Sequence, residues 1–404
     1  MTGGMFGALR NGRFARFYAA QAASQLGDAI SWIALALLAV QLEGSARAPI
    51  VVSIALTLRV IAFVVLGPIA GVVADRLDRR LLLTGCHVGR MVSVGLMFAV
   101  TEAWHVYMLI LLTNAFTAFF TPANQATVQL VAGRDNLRGA FALSAATTEV
   151  FGIVGPGLAG LIALGTGARA LFLVVAATFG IAALLVFTLG PVRPTVHPDA
   201  TQSTRWADVQ DGTLRLWRDG HIRFALLMEL VAAISGALVL TVTVARVQHG
   251  LSLSDAHFGW VMAAYGLGAT LASFAVAHLG AVPLVRWISA GAVLTTMAVL
   301  PGDVSPYGPL LALWAFAGVG QNWVNLPSET LIAERTDDSA QGRVYGAHFA
   351  WSHLWWVLAY PLAGFLAATF PDRTFLIGAS IGGTVLIVVV LAHATTLRAR
   401  SSTP

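Results

Sequence analysis

The chain has 404 residues, 57% of them apolar and only 11% charged, with a formal net charge of +5. A soluble domain would carry roughly twice that charge, and a mean hydropathy of +0.77 excludes an ordinary water-soluble enzyme or binding module. About twelve apolar stretches reach the roughly 20 residues that a bilayer-crossing helix needs. The expected fold is therefore an all-α membrane protein with twelve transmembrane helices.

The spans fall at 15–41, 49–73, 81–101, 105–131, 137–164, 168–190, 222–247, 257–278, 283–301, 307–333, 343–369 and 373–396. No cleavage site follows the first, so it is expected to be a retained helix. Its polar residues Gln21, Ser24, Gln25, Asp28 and Ser31 are spaced by three and four, which places them on one face. That face is expected to see a water-filled cavity or the bundle interior. Asp28 is the leading candidate to carry a proton or cation, with a structural ion pair to Arg59 of span 2 as the alternative.

Span 3 holds the single cysteine, Cys86, which excludes an intrachain disulfide and a multi-cysteine metal site. It also holds Arg90, and span 5 holds Glu149. Asp28, Arg59, Arg90 and Glu149 all sit near mid-depth, where an ionised side chain costs roughly 2.5–3.5 kcal/mol on insertion scales and needs a partner, a cavity or a proton. Glu149 is a second proton-carrier candidate, with a pair to Arg90 as its alternative.

The long hydrophilic connection, 191–221, divides the chain into a bundle at 1–190 and another at 222–404. Within it, Trp206, Val209, Leu214 and Trp217 suit one face of an interfacial helix, with Arg205, Arg215 and Arg218 reaching lipid phosphate. A solvated linker is the alternative. Beyond it, Glu229 of span 7 sits near the cytoplasmic face and is expected to reach interfacial water. Span 10 carries a polar stripe from Gln321 or Asn322 through Asn325 to Glu329, read as cavity lining. Span 11 concentrates His348, Trp351, His353, Trp355, Trp356 and Tyr360, of which His353, Trp356 and Tyr360 share a face. Such faces suit flat, apolar or cationic ligands. His87, His348 and His353 lie on two spans without paired spacing, a weak basis for a metal site.

The halves look duplicated. An offset of 205 carries Pro122 to Pro327, Arg138 to Arg343 and Pro156 to Pro361. Duplication around a midplane site is the design logic of secondary transporters. All 24 basic residues are Arg, which points to a GC-rich bacterial genome; 18 fall on one side of the membrane and 4 on the other. That asymmetry predicts a multi-pass bacterial cytoplasmic (inner) membrane protein with both termini cytoplasmic. It also accounts for the pI of about 10.0 without nucleic acid.

Between spans 2 and 3 stands Gly71-Val72-Val73-Ala74-Asp75-Arg76-Leu77-Asp78-Arg79-Arg80. This resembles the signature loop of the major facilitator superfamily. The resemblance implies two pseudo-symmetric six-helix bundles and a cytoplasmic gate of Gly71, Asp75, Arg76, Arg79 and Arg80 that closes on span 11 near Arg343. It also places span 3 outside the cavity walls, so that Arg90 is structural. Spans 4 and 5 read Thr121-Pro122-Ala123-Asn124-Gln125-Ala126, Leu137-Arg138-Gly139-Ala140 and Gly155-Pro156-Gly157-Leu158-Ala159-Gly160. The last is similar to the antiporter motif of span 5, with Gly155, Pro156 and Gly160 in place and departures at Phe151 and Ala159. Together these stretches resemble the twelve-span drug:proton antiporter group that includes macrolide and siderophore exporters.

The resulting expectation is a secondary active transporter exporting a hydrophobic or amphipathic small molecule in exchange for protons, by alternating access. Proton coupling falls to Asp28 and Glu149, and the substrate cavity to Gln21, Gln25, Asp28, Asn322, Asn325, Glu329, His353 and Trp356. Arg59 and Arg90 are the intramembrane ion-pair residues. The rival within transport is a metal or metal-chelate exporter; outside transport, it is a non-transporting sensor. No nucleophile, base and orienter stand at a readable spacing, and no nucleotide-binding loop is present, so neither an enzyme nor an ATP-driven pump is expected. No cofactor is expected; the partners are the small molecule, protons and the bilayer, with a monomer as the working state.

Overall fold

The structure, a computed structural model, describes residues 7–133, 137–192, 206–278, 282–336 and 341–401. These residues are helical almost throughout, with no strand among them. In chain order the helices are α1 (Gly12–Arg76), α2 (Arg79–Leu96), α3 (Ala103–Ala132), α4 (Leu137–Thr166), α5 (Ala170–Phe187), α6 (Trp206–Arg218), α7 (Gly220–Ala245), α8 (Asp255–His278), α9 (Leu284–Val299), α10 (Tyr307–Arg335), α11 (Gln341–Thr369) and α12 (Thr374–Ser401). The run α1 holds the first two spans, broken at Gly44, whose φ of 75° and ψ of 163° leave the helical region. Only glycine takes that conformation without steric cost. Its two limbs, α2–α5 and α7–α12 make twelve transmembrane helices, with α6 as the extra helix of the connection.

Local chemistry sets the helix ends. Asn11 caps α1 by accepting from Arg13 N at 3.0 Å and Phe14 N at 3.4 Å. Asp78 caps α2 through Arg80 N at 2.9 Å, and Asp219 caps α7 through His221 N and Ile222 N at 2.8 and 3.0 Å. Each carboxylate or amide satisfies N–H groups that the first helical turn leaves without a partner. Pro122, Pro156, Pro327 and Pro361 all lie inside helices, as membrane bundles tolerate where neighbouring helices support the backbone.

The chain forms two compact units, one of residues 1–44, 54–200 and 254–263 and the other of 45–53, 201–253 and 264–404. The first has a core around Phe14, Phe17, Leu83, Val131, Leu143 and Val186. The second has one around Phe224, Met228, Val231, Ile288, Val324 and Leu386. In the second unit α7 is the buried axis, with Ile234, Leu238, Val239 and Val244 all shielded, packed by α9, α10, α11 and α12. Small residues allow the closest approaches: a methyl on Gly291 of α9 would sit 2.7 Å from the Gly320 carbonyl of α10. Van der Waals packing of this kind holds helices together where lipid removes any hydrophobic drive. The outward faces are apolar, with Val65, Leu184, Ile387 and Leu391 each more than 60% exposed. In water such a surface would drive aggregation; facing hydrocarbon, it is solvated.

The helix α6 replaces the solvated linker offered as an alternative. It packs on α11 and α7 within the second unit. Its fully buried residue is Leu216, whereas Leu214 is 52% exposed. Trp217 does pack inward, edge-on to Trp351 at 5.1 Å. Trp206 and Val209 lie outside the residues whose side chains are described, and Arg205 lies outside the described residues.

Candidate functional site

The first limb of α1 is clamped on three sides around Asp28. A methyl on Gly27 would collide with Thr178 Oγ1 of α5, and one on Gly155 of α4 would come within 2.5 Å of Ala29 Cβ. From α2, the Arg90 guanidinium forms an ion pair with Asp28 and donates to Ser24 Oγ at 3.1 Å. Arg90 has no solvent exposure and stacks on the Phe179 ring at 3.9 Å. Burying a guanidinium this completely requires a counter-charge, and Asp28 supplies it. The partner is therefore Arg90, where the sequence offered Arg59.

Asp28 is not sealed. Its side chain is 47% exposed, and it faces a narrow cleft of about 40 Å³, lined also by Trp32, Arg59, Asn114, Thr117 and Phe179. Arg59 lies over the Trp32 ring at 4.1 Å, a cation–π arrangement. The polar stripe of α1 is thus divided along its length. Gln21 accepts from Ser144 Oγ at 2.9 Å, Ser24 is held by Arg90, and Gln25 Oε1 is buried without a hydrogen bond among the described residues. Only Asp28 and Ser31, one end of the stripe, reach the cleft. Gln21 and Gln25 do not line this cleft. The α3 residues Thr113, Asn114 and Thr117 line the cleft; sequence reasoning missed them, although their spacing of one, three and four is the same signal read on α1.

The antiporter-type motif is a packing device. A methyl on Gly160 would sit 3.0 Å from Ala256 Cα, and one on Gly259 would sit 2.6 Å from the Pro156 carbonyl. The motif's small residues thus bring backbone against backbone between α4 and the first turns of α8, and Gly155 brings α4 onto α1 beside Asp28. The side chain of Glu149 lies outside the described residues, as do those of Asp75, Arg76 and Arg343 and the surroundings of Gly71. Of the loop arginines, Arg79 is buried, with its N–H bonded to Val192 O at 3.0 Å, and Arg80 stacks on Phe187 at 5.0 Å.

In the second unit the polar residues of α10 and the aromatics of α11 meet at Gly236 of α7. A methyl there would lie 2.7 Å from Trp356 and 2.9 Å from Gln321 Oε1. Gln321 donates to Asn325 Oδ1 at 3.4 Å, and Trp356 packs on Tyr360 at 5.2 Å. Asn325 and Glu329 are exposed, whereas Asn322 Oδ1 is buried without a hydrogen bond among the described residues. His353 donates to the Phe349 carbonyl of its own helix at 2.7 Å. Trp355, by contrast, is structural, donating from Nε1 to the Leu226 carbonyl at 2.9 Å.

Glu229 does not reach interfacial water. It is 7% exposed, and Oε1 lies 2.7 Å from His348 Nε2. Nothing in periodicity pairs these two positions, 119 residues apart. His87 packs on Phe120 at 4.8 Å in the first unit, so the three histidines do not converge. No group of three metal-ligating side chains occurs among the described residues.

A family model described as Major Facilitator Superfamily matches residues 17–256 and 225–403. The chain belongs to the Major Facilitator Superfamily. This transporter is 26% identical over 345 residues to the MFS-type transporter YfiS of Bacillus subtilis, covering 81% of this chain and 80% of the relative. It is 26% identical over 377 residues to the multidrug efflux pump Tap of Mycolicibacterium fortuitum, covering 85% and 89%. Among solved structures, a bacterial homologue of the human lysosomal transporter Spinster aligns over 95% of both chains with a TM-score of 0.73 at 13% identity, a likeness of fold. The protein is a multi-pass membrane transporter related to drug-efflux members of the superfamily.

Proposed function

We propose that this transporter exports a hydrophobic or amphipathic small molecule across a bacterial cytoplasmic membrane, as a monomer, in exchange for protons. The observation that carries this reading is Asp28, ion-paired on one side and half exposed to a cleft on the other. Protonation from outside neutralises Asp28 and leaves Arg90 as an uncompensated buried charge. That state is costly, and the cost is the lever that shifts the balance between conformers. Cargo on the aromatic and amide surface of the cleft competes with the proton. The efflux relative Tap supports the direction and the drug-like cargo. The division into bundles at 1–190 and 222–404, with both termini cytoplasmic, belongs to the same reading, as does the loop around Asp75 as a gate.

The test is Asp28→Asn in everted membrane vesicles. Asn keeps an oxygen for Arg90 to donate to, so the chain is expected to accumulate while pH-driven drug transport falls to background. Full proton-coupled transport in that variant ends the role of Asp28. A thermal-shift screen across drugs, siderophores and divalent metals separates the organic cargo from the metal or metal-chelate alternative, for which the described residues provide no ligand set.

A further inference from the structure

We propose that Glu229 of α7 and His348 of α11 form a second proton-binding site. Both members are buried, at 7% and 9% exposure, and their 2.7 Å contact lies at the short end for a charge-assisted hydrogen bond. Unlike a guanidinium, an imidazole gives up its proton within about pH 5 to 8. The pair therefore has two neutral-sum arrangements, carboxylate with imidazolium or carboxylic acid with imidazole, related by moving one proton along one hydrogen bond.

There is also room for another proton. Glu229 Oε2 is buried without a hydrogen bond among the described residues. The neighbouring Ser328 hydroxyl, itself fully buried, donates to the Val324 carbonyl at 2.7 Å and gives the Glu229 carboxyl only the smallest of its stabilising contacts. A fully buried carboxylate so sparsely supplied with donors is expensive, and a proton relieves it. The next residue, Glu329, is exposed and acts electrostatically on both Glu229 and His348; its backbone carbonyl is held by Tyr345 Oη at 3.1 Å.

Among the described residues of the surrounding helices, Asp219 and Arg335 pair with each other at 3.0 Å and His353 donates to the Phe349 carbonyl. On α12, His393 packs on His221 and Phe224 at the start of α7. Arg223 donates to the Trp217 carbonyl at 3.2 Å, Arg286 of α9 is exposed, and Asp211 and Arg215 of α6 pair with each other.

Proton binding here stands without the coupling assigned to Asp28; only its use in transport rests on that reading. The experiment is histidine-labelled NMR of the full chain in lipid nanodiscs between about pH 5 and 8, with the His348 resonance assigned by His348→Gln. The expected result is a titrating His348 signal that is lost or displaced in Glu229→Gln and unchanged in Asp28→Asn. A signal that does not move with pH, or that titrates identically in Glu229→Gln, overturns the proposal and leaves a structural hydrogen bond. Should Glu229→Gln fail to fold, difference infrared spectroscopy of the wild-type carboxyl groups decides, absence of a buried-carboxyl band change being the negative result. Normal transport by Asp28→Asn with the His348 titration intact would remove the first reading and keep this one.

Discussion

In the first unit an intramembrane acid half open to a cleft pairs with a buried guanidinium, and in the second a buried acid pairs with an imidazole. Asp28 and Glu229 both answer the same constraint, that a charge in low dielectric must be met by an opposite charge or a proton. They answer it differently. A guanidinium does not lose its charge in proteins, so the counter-charge to Arg90 has to come from its partner, Asp28. His348 carries a titratable ring, so both members of the Glu229 pair can change charge.

The contrast is sharpest under truncation. Asp28→Ala strands a fully buried Arg90 and is expected to cost about 3–5 kcal/mol, the range for breaking a buried pair. Glu229→Ala leaves an imidazole that can shed its proton, and the expected loss is about 1–3 kcal/mol. Thermal unfolding of both variants in lipid reads the difference; equal losses would break the comparison. Next comes Arg90→Lys, which keeps the charge but forfeits the fork to Asp28 and Ser24 and the stacking on Phe179. It should lower the midpoint by less than Asp28→Ala does.

A smaller effect is expected outside the membrane core, at Asp219. The carboxyl caps α7 and accepts from Arg335 Nε at 3.0 Å. Its partial burial raises its pKa, but the Ile222 N–H, the Arg335 side chain and the His221 N–H together hold it below the usual carboxylate value. A lowered folded pKa means that the stabilisation is complete above about pH 4, the ordinary Asp value, and is lost as pH falls through the lower folded value. Asp219→Ala should therefore cost about 0.5–2 kcal/mol at neutral pH, with the gap to wild type closing in acid. The smallest effect belongs to the solvent-facing Asp211–Arg215 pair of α6, 2.8 Å apart and 38% and 49% exposed. Arg215→Ala should change stability by less than about 1 kcal/mol.

Much of the candidate site was legible as residue types and little of it as partnerships. Asp28, Arg59 and Arg90 stand out because an ionisable group in an apolar span is costly whatever surrounds it. The stripe on α1 was correctly placed on one face, yet a face 15 Å long meets more than one neighbour at 1.5 Å per residue. Gln21 met Ser144, Ser24 met Arg90, and Ser31 met open space. Helical periodicity carries no information about which neighbour a face will meet. Glu229 was misjudged for the same reason: distance from a span end suggested water, and the neighbour that shields it lies four helices later in the chain. The motif glycines Gly155 and Gly160 were recognised by resemblance, but their task, close backbone contact with Ala29 and Ala256, needed the packing.

What composition and order of residues determined by themselves is the solvent, the number of crossings and the places where charge interrupts hydrocarbon. Those follow from transfer free energies, which add along a chain and need no knowledge of contacts. Tertiary structure alone decided that Arg90 neutralises Asp28, that His348 meets Glu229, and that α6 buries Leu216. Pairing energies depend on distances between segments far apart in sequence, and only the packed bundle sets those distances.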